Sequence, residues 1–166
     1  MSPLPLAAAV PTLRSFLAFD FGTRRVGVAS GNSLLRRASP LKTLVADKDQ
    51  RFVHIARLIQ QWQPDALVVG VPFHPDGAAH DNTHRAQRFA RQLQGRFGLP
   101  VHQVDERYTT TEALAQGAVD ADAAAAALIL EQFLRQFENE SASEFANEFA
   151  SDFAYDSANE STNAAP

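Results

Sequence analysis

The sequence predicts an α/β fold in which a mixed five-stranded sheet carries helices on both faces. Three observations predict it: two adjacent apolar runs near the start, later short runs that are apolar throughout, and apolar residues at helical spacing between them. A hairpin followed by alternating strands and helices is typical of such a sheet. At 166 residues the chain is long enough for one domain of this kind.

The first two strands are predicted from FLAFDFG, which begins at Phe16, and from RVGVAS, which follows after a Gly-Thr turn. A short third strand is predicted near residues 41–45. The first run is apolar on both alternations except for Asp20, so we expect it to be covered on both faces. A carboxylate in such a strand must be hydrogen-bonded, paired or bound to a cation. Either a metal ion or the backbone NH groups of the following turn could satisfy Asp20.

The remaining elements alternate between helix and strand. A first helix is predicted before Pro64. Residues 66–72 predict a short, fully apolar strand and residues 101–106 a further strand, on either side of a second helix that ends at Gly98. A short helix near residues 111–116 and a longer one over 122–137 follow. The buried stripe predicted for the first helix is Phe52, Ile55, Ala56, Ile59 and Trp62. The stripe predicted for the second helix is Ala86, Phe89, Ala90, Leu93 and Phe97.

Two acids end the last predicted strand. Asp105 and Glu106 stand at the carboxyl end of a strand expected to be parallel to its neighbour, and open α/β sheets bind ligands at that edge. Because side chains alternate across a strand, only one of the two faces a given site. Their position in the sequence does not show which of the two acids faces the site.

Two further acids open the last predicted helix. Asp122 lies at helical spacing from Ala126, Ile129 and Phe133, so we expect it on the face that packs against the sheet. Asp120, two residues earlier, is expected to cap the helix or face solvent. Three acids that converge at one sheet edge are the ligands that a divalent cation prefers, and such a site can cleave phosphodiester bonds.

Charge is unevenly distributed along the chain. The net charge is -4, but residues 138–166 hold seven acids and no Lys or Arg, which leaves residues 1–137 with a net charge of +3. A polyanionic partner is therefore compatible with the main part of the chain. The acidic segment also contains the repeat EFAN, EFAS, DFAY. We expect a disordered low-complexity tail, the alternative being a helix whose Phe residues bind a partner groove.

Several classes of protein are disfavoured by composition. The absence of cysteine excludes disulfides, a zinc ribbon and a cysteine nucleophile. The first fifteen residues, interrupted by proline, do not resemble a signal peptide and are expected to be a flexible extension. No apolar segment approaches the length of a membrane helix, so we expect a cytoplasmic protein without a membrane partner.

Histidine and arginine residues provide further candidates. His80 and His84 have the spacing of a helical metal pair, but there is no evident third ligand, and a helix cap is expected at Asp81 or Asn82. Arg24 and Arg25 adjoin Asp20 and are expected to contact nucleic acid. Three more arginines on the second helix either track phosphates or are simply solvated. They are Arg85, Arg88 and Arg91.

Four blocks of sequence resemble the YqgF family of bacterial Holliday junction resolvase-like proteins, which are also described as pre-16S rRNA nucleases. The blocks are LAFDFGTRRVGVAS, the segment from Gly70 to Gly77, RFGLPVHQVDERYTTTEA and DADAAAAALILEQFL. They occur in order over residues 16–135. The resemblance implies a ribonuclease H-like fold over residues 16–137 and metal-dependent hydrolysis of phosphodiester bonds, with Mg²⁺ or Mn²⁺ as cofactor.

The resemblance also implies roles for individual residues. The catalytic acids and metal ligands fall on Asp20, Glu106 and Asp122, while Arg107, Thr109 and Thr110 are implied to orient the acids or contact a phosphate. The connection before Asp122 is shorter than expected for the family, and the acidic tail lies outside the resemblance.

The sequence leaves alternatives open. As a nuclease, the protein acts on precursor rRNA, which we favour, or on branched DNA, and it is a monomer or a homodimer. A non-catalytic assembly factor that binds nucleic acid is a second class. Actin-like and sugar-kinase ATPases share an Asp-x-Gly-Thr turn but need two such domains, and this chain has one set of blocks.

Overall fold

The computed structural model describes residues 13–106 and 120–137. The contacts described for this structure lie within residues 13–134, in the first of the two units into which the chain divides. The strands are β1 (Ser15–Phe21), β2 (Arg25–Asn32), β3 (Ala38–Val45), β4 (Ala66–Val71) and β5 (Val101–Asp105). The helices are α1 (Lys48–Trp62), α2 (Asp81–Phe97) and α3 (residues 121–137).

The five strands form one mixed sheet in the order β3-β2-β1-β4-β5. β1 pairs antiparallel with β2, and β2 antiparallel with β3, whereas β1, β4 and β5 run parallel. The predicted hairpin, the mixed sheet and the number of strands are therefore confirmed. β1 is the central strand, and its carboxyl end lies at the same edge of the sheet as those of β4 and β5.

The two faces of the sheet are covered by different helices. Leu17, Phe19 and Phe89 belong to a core between the sheet, α1 and α2. On the opposite face the ring of Phe16 lies 5.2 Å from that of Phe133 in α3, in an edge-to-face arrangement. We call the first the α1/α2 face and the second the α3 face. Helices on both faces, as predicted, follow from β1 being apolar on both alternations.

The packing of α1 differs from the predicted stripe. Trp62 is 43% exposed and Ala56 is also exposed, so both predictions of burial are wrong. Leu58 is buried instead. The helix ends at Trp62, and the next residue, Gln63, adopts a left-handed conformation with φ 48°. Trp62 is therefore the last residue of the helix and lies beyond the buried part of the stripe. Pro64 after it is buried, in agreement with its expected role as a stop.

The start of α2 corrects a second expectation. The N-cap is His80, and neither Asp81 nor Asn82 has this role. The Nδ1 atom of His80 accepts a hydrogen bond of 3.2 Å from the backbone NH of Asn82, and Thr83 completes a capping box through its hydroxyl group. The imidazole thus caps the first turn of the helix. The five apolar residues predicted for the buried face of α2 all pack inward.

Several predictions fall outside the described residues. They concern the short helix near residues 111–116, residues 1–12 of the N-terminal extension, and the acidic segment 138–166. Within the described part of the extension, the backbone NH of Ser33 donates to the carbonyl of Arg14 over 2.9 Å. No helix of the described residues is both long enough and apolar enough to cross a membrane.

Candidate active site

Asp20 lies between two glycines in the sheet. It is paired with Gly27 of β2 on one side and with Gly70 of β4 on the other. Asp20 shares its alternation with Phe16, whose ring contacts Phe133 of α3, so its side chain belongs to the α3 face. Since glycine has no side chain, the sheet surface on both sides of Asp20 is open to groups from other elements.

Glu106 occupies the space above one of these glycines. A Cβ atom built on Gly70 would lie 2.5 Å from Oε1 of Glu106 and 2.5 Å from Cδ1 of Ile129 in α3. The Glu106 carboxylate is therefore on the α3 face, beside Asp20. Val101 packs in the core of the α1/α2 face, so alternation along β5 places Asp105 on that opposite face. The register thus separates two neighbouring acids that the sequence leaves equivalent.

Asp122 approaches the sheet above the other glycine. A Cβ atom on Gly27 would overlap the backbone carbonyl of Asp122, so the start of α3 rests directly on β2 at this point. Ala126, Ile129 and Phe133, which share the helix face of Asp122, are all buried. The expectation that this face packs on the sheet is confirmed. Asp20, the carboxylate of Glu106 and the backbone of Asp122 are consequently all on the α3 face, next to one position of β1.

Asp120 has a separate role at the start of α3. Its Oδ1 atom accepts a hydrogen bond of 3.3 Å from the backbone NH of Ala123 and a short one from the hydroxyl of Thr43 in β3. Asp120 is therefore the N-cap of the helix, the first of its two expected roles, and it also links α3 to the sheet through Thr43. The carboxylate of Asp120 is thus occupied by these hydrogen bonds. Of the two acids, Asp122 is the one that lies on the packed face of the helix.

The chemistry of the three acids fits a hard divalent cation, because all their donor atoms are carboxylate oxygens. The two glycines let Glu106 and the start of α3 approach the sheet on either side of Asp20. Within residues 13–106 and 120–137, however, no three acidic, His or Cys side chains lie close enough to enclose a metal ion. Carboxylates repel one another unless a cation lies between them. The three acids thus have the composition and the location in the sheet that a metal site needs, but their side chains are farther apart than those that enclose a metal ion.

The predicted nucleic-acid contacts divide into two groups. Arg24 and Arg25 are exposed in and after the tight turn that joins β1 to β2, close in the chain to Asp20. Arg107, Thr109 and Thr110 lie outside the described residues. The turn is compact: a Cβ atom on Gly22 would lie 2.5 Å from the carbonyl oxygen of Arg25.

Arg51 is a buried charge that the sequence analysis did not single out. It is 5% exposed, and its Nη2 atom donates a hydrogen bond of 2.7 Å to the carbonyl of Thr23. Burial lowers the pKa of Arg51, and the nearby Asp47 carboxylate opposes this by raising it. A signal was present, because Arg51 precedes Ile55 by four residues and Leu58 by seven, on the apolar stripe of α1.

Comparison with known proteins identifies relatives of the whole described domain. Residues 14–136 match the family described as "RuvX: Holliday junction resolvase". A protein of Albidiferax ferrireducens is 66% identical over 139 residues, which cover 78% of this chain and 89% of the relative. A protein of a Polaromonas species is 64% identical over 131 residues, covering 76% and 95% respectively. Both relatives carry the name "Putative pre-16S rRNA nuclease".

A solved structure supports the fold. The structure of Thermus thermophilus RuvC in complex with a Holliday junction substrate aligns with 76% of this chain and 96% of that chain, with a TM-score of 0.50 and 13% sequence identity. At this identity the likeness concerns the fold alone. The ribonuclease H-like fold implied by the four sequence blocks is thereby confirmed.

Proposed function

Because the chain belongs to the RuvX (YqgF) family, we propose that it is a metal-dependent nuclease that hydrolyses phosphodiester bonds of nucleic acid. The observation that supports this best is the position of Asp20, Glu106 and Asp122 on one face of the sheet. The nuclease domain in this proposal is residues 16–137. The protein is proposed to act in the cytoplasm.

In this proposal the three acids bind Mg²⁺ or Mn²⁺ through their carboxylate oxygens. A metal ion held by these residues would activate a water for attack on the phosphate and would stabilise the leaving oxygen. Asp20 is fixed by the central strand, Glu106 by the end of β5, and Asp122 by the packed start of α3. Rigid strands and a helix hold ligands more accurately than loops, which favours a defined geometry for the attacking water.

The proposed substrate is the precursor of 16S ribosomal RNA, cleaved at its 5′ end. This choice follows the names of the two relatives at 66% and 64% identity. The net charge of +3 over residues 1–137 suits a polyanionic substrate. Arg24 and Arg25 are proposed to contact its phosphates beside the acids, with Arg107, Thr109 and Thr110 as further contacts.

A second candidate is cleavage of branched DNA, favoured by the description of the matched family as a Holliday junction resolvase. Cutting a four-way junction symmetrically requires two active sites related by a two-fold axis, hence a homodimer. Precursor RNA can be cut by a monomer. Oligomeric state and substrate are thus linked in this proposal.

The test compares both substrates under the same conditions. The purified chain is incubated with a 5′-labelled precursor 16S fragment or a labelled four-way DNA junction, with Mg²⁺, Mn²⁺ or EDTA. We expect metal-dependent cleavage of the RNA and little of the junction. Preferential junction cleavage by a dimer, measured by gel filtration with light scattering, would favour the second candidate. Cleavage of neither substrate with either metal would contradict the proposed nuclease function.

A further inference from the structure

A basic cleft lies on the face of the sheet opposite the three acids. It has a volume of about 650 Å³ and is bounded by the carboxyl end of β1, the start of α1 and one side of α2. Five of its lining side chains are cationic and one is acidic. They are Lys48, Arg51, Arg85, Arg88, Arg96 and Asp49.

The buried side chain of Arg51 distinguishes the cleft from a surface whose charged groups are all in contact with water. It lines the cleft while 95% of its surface is covered, and its Nε atom has no hydrogen-bond partner among the residues that the structure describes. A buried charged donor without a partner costs free energy, and this cost is recovered when an acceptor binds. The guanidinium group also lies 5.6 Å from the centre of the Phe21 ring, which holds it at the edge of the cleft.

The walls of the cleft concentrate its positive potential. Phe21, Phe52 and Phe89 line it, and the guanidinium of Arg96 lies 4.1 Å from the centre of the Phe52 ring. A concave site with apolar walls and a large excess of positive charge focuses the field on an anion. The planar arginine side chain favours phosphate, which it can bind with two parallel hydrogen bonds.

The cleft is next to the acids along the same strand. Asp20 and Phe21 are consecutive, so alternation directs one to the α3 face and the other to the α1/α2 face. Thr23, whose carbonyl accepts from Arg51, begins the turn beyond β1 and lines the cleft. A nucleic-acid strand that crosses this edge of the sheet therefore meets both places, with Arg24 and Arg25 at the turn between them.

We propose that this cleft binds backbone phosphates of the substrate strand at a distance from the cleaved bond. This inference rests on the proposed nuclease function for the identity of its ligand. It assigns different roles to three arginines of α2: Arg85 and Arg88 line the cleft, whereas Arg91 does not. The strand is thus held on one face of the sheet and cut on the other.

The test measures binding without cleavage. Binding of a fluorescently labelled single-stranded RNA is followed by anisotropy in EDTA, over a series of salt concentrations. The cleft variant is Arg85→Gln with Arg88→Gln. The matched control, Arg57→Gln with Arg91→Gln, removes the same charge from exposed positions of α1 and α2 outside the cleft. Thermal melting monitored by circular dichroism verifies that both variants fold.

We expect the cleft variant to bind RNA at least about tenfold more weakly at low salt, since two charged hydrogen bonds are lost. The slope of log affinity against log salt should fall by about 1.4, because each phosphate contact on a single strand contributes about 0.7. The control should change affinity by less than about threefold, because Arg57 and Arg91 do not line the cleft and make no contact to a phosphate held there. Equal weakening of both variants, or no weakening of either, would overturn the proposal.

An experiment with inorganic phosphate distinguishes a site for the backbone phosphates of RNA from a site for a free anion. If phosphate raises the melting temperature of the parent protein but not of the cleft variant, while both bind RNA equally, the cleft holds a free anion and the proposal is wrong. Failure of the nuclease function is distinguishable. In that case RNA binding still depends on Arg85 and Arg88, although no substrate is cleaved with Mg²⁺ or Mn²⁺.

Discussion

The carboxylate of Glu106 occupies the place that a side chain at Gly70 would take, with Oε1 2.5 Å from the position of a Cβ atom. Gly70 is also the partner of Asp20 in the parallel pairing of β1 with β4. The absence of a side chain at one position of β4 thus allows an acid from β5 to lie beside an acid of β1. This relationship links the sheet register to the proposed metal site.

Substituting Gly70→Ala should displace Glu106 and Ile129, because the added methyl group overlaps both. We expect cleavage to fall at least about tenfold and the free energy of unfolding to fall by about 1–3 kcal/mol, as in other overpacked cores. Cleavage assays and thermal melting measure the two effects. Gly95→Ala is the control, since a Cβ there meets nothing within 4 Å. That helix position should gain about 0.5–1 kcal/mol of stability with unchanged activity. An active Gly70→Ala enzyme would show that the position of Glu106 is unimportant.

Asp105→Asn and Glu106→Gln should differ, although the residues are adjacent. Glu106 lies on the α3 face with Asp20, and alternation puts Asp105 on the other face. We predict that Glu106→Gln lowers the turnover number at least about a hundredfold, equivalent to roughly 2.7 kcal/mol of transition-state stabilisation. Asp105→Asn should stay within about threefold of the parent. Single-turnover cleavage of the RNA fragment measures both, and the reverse order would mean that the other acid enters the site.

Asp120 and Asp122 provide a second matched pair. Asp122→Asn removes a proposed ligand and should lower turnover at least about a hundredfold with little loss of stability. Asp120→Asn should be nearly silent, because Asn also accepts the hydrogen bonds from Ala123 and Thr43 that cap α3. Turnover and melting temperature are measured for both variants. An inactive, folded Asp120→Asn with an active Asp122→Asn would contradict the assignment of the third acid.

Removing residues 138–166 should strengthen nucleic-acid binding at low salt. The segment carries seven acids and no basic residue, whereas residues 1–137 have a net charge of +3. The gain should disappear near 1 M salt, where the screening length is about 3 Å. Anisotropy titrations with the full and shortened chains measure it. A gain that persists at high salt, or a large fall in melting temperature on truncation, would show that the segment acts through contacts rather than charge.

The elements could be predicted from the sequence because their apolar patterns are local. β1 is apolar on both alternations and α2 has a clear stripe, so the structure has them where expected. The choice between Asp105 and Glu106 could not be made, since it depends on which residue of β4 each strand position pairs with. Pairing register is a property of the assembled sheet. Sequence spacing alone therefore shows that the strand ends in two acids, but it does not show which of them faces the site.

The wrong prediction for Trp62 and the missed burial of Arg51, both in α1, have a related origin. Helical spacing does not distinguish the end of a stripe from its middle, so it predicts that Trp62, at the end of the helix, is buried. In the structure Trp62 is exposed. The same spacing includes Arg51, which is buried at the start of the helix, but a charged residue is normally assigned to the surface. Its burial depends on Thr23 and Phe21, which are distant in sequence and come near only in the folded chain.

Metal binding and cleavage measured on the same protein show whether the three acids hold a catalytic metal ion. Electron paramagnetic resonance detects Mn²⁺ bound by the parent chain and by Asp20→Asn, and cleavage of the labelled RNA is recorded with Mn²⁺ and with EDTA. We expect the parent to bind Mn²⁺ and to cleave only when metal is present, because three carboxylates alone would repel a phosphodiester. We expect folded Asp20→Asn to lose both properties together. Full cleavage by metal-free protein in EDTA, or unchanged binding and cleavage by Asp20→Asn, would contradict the proposed metal site.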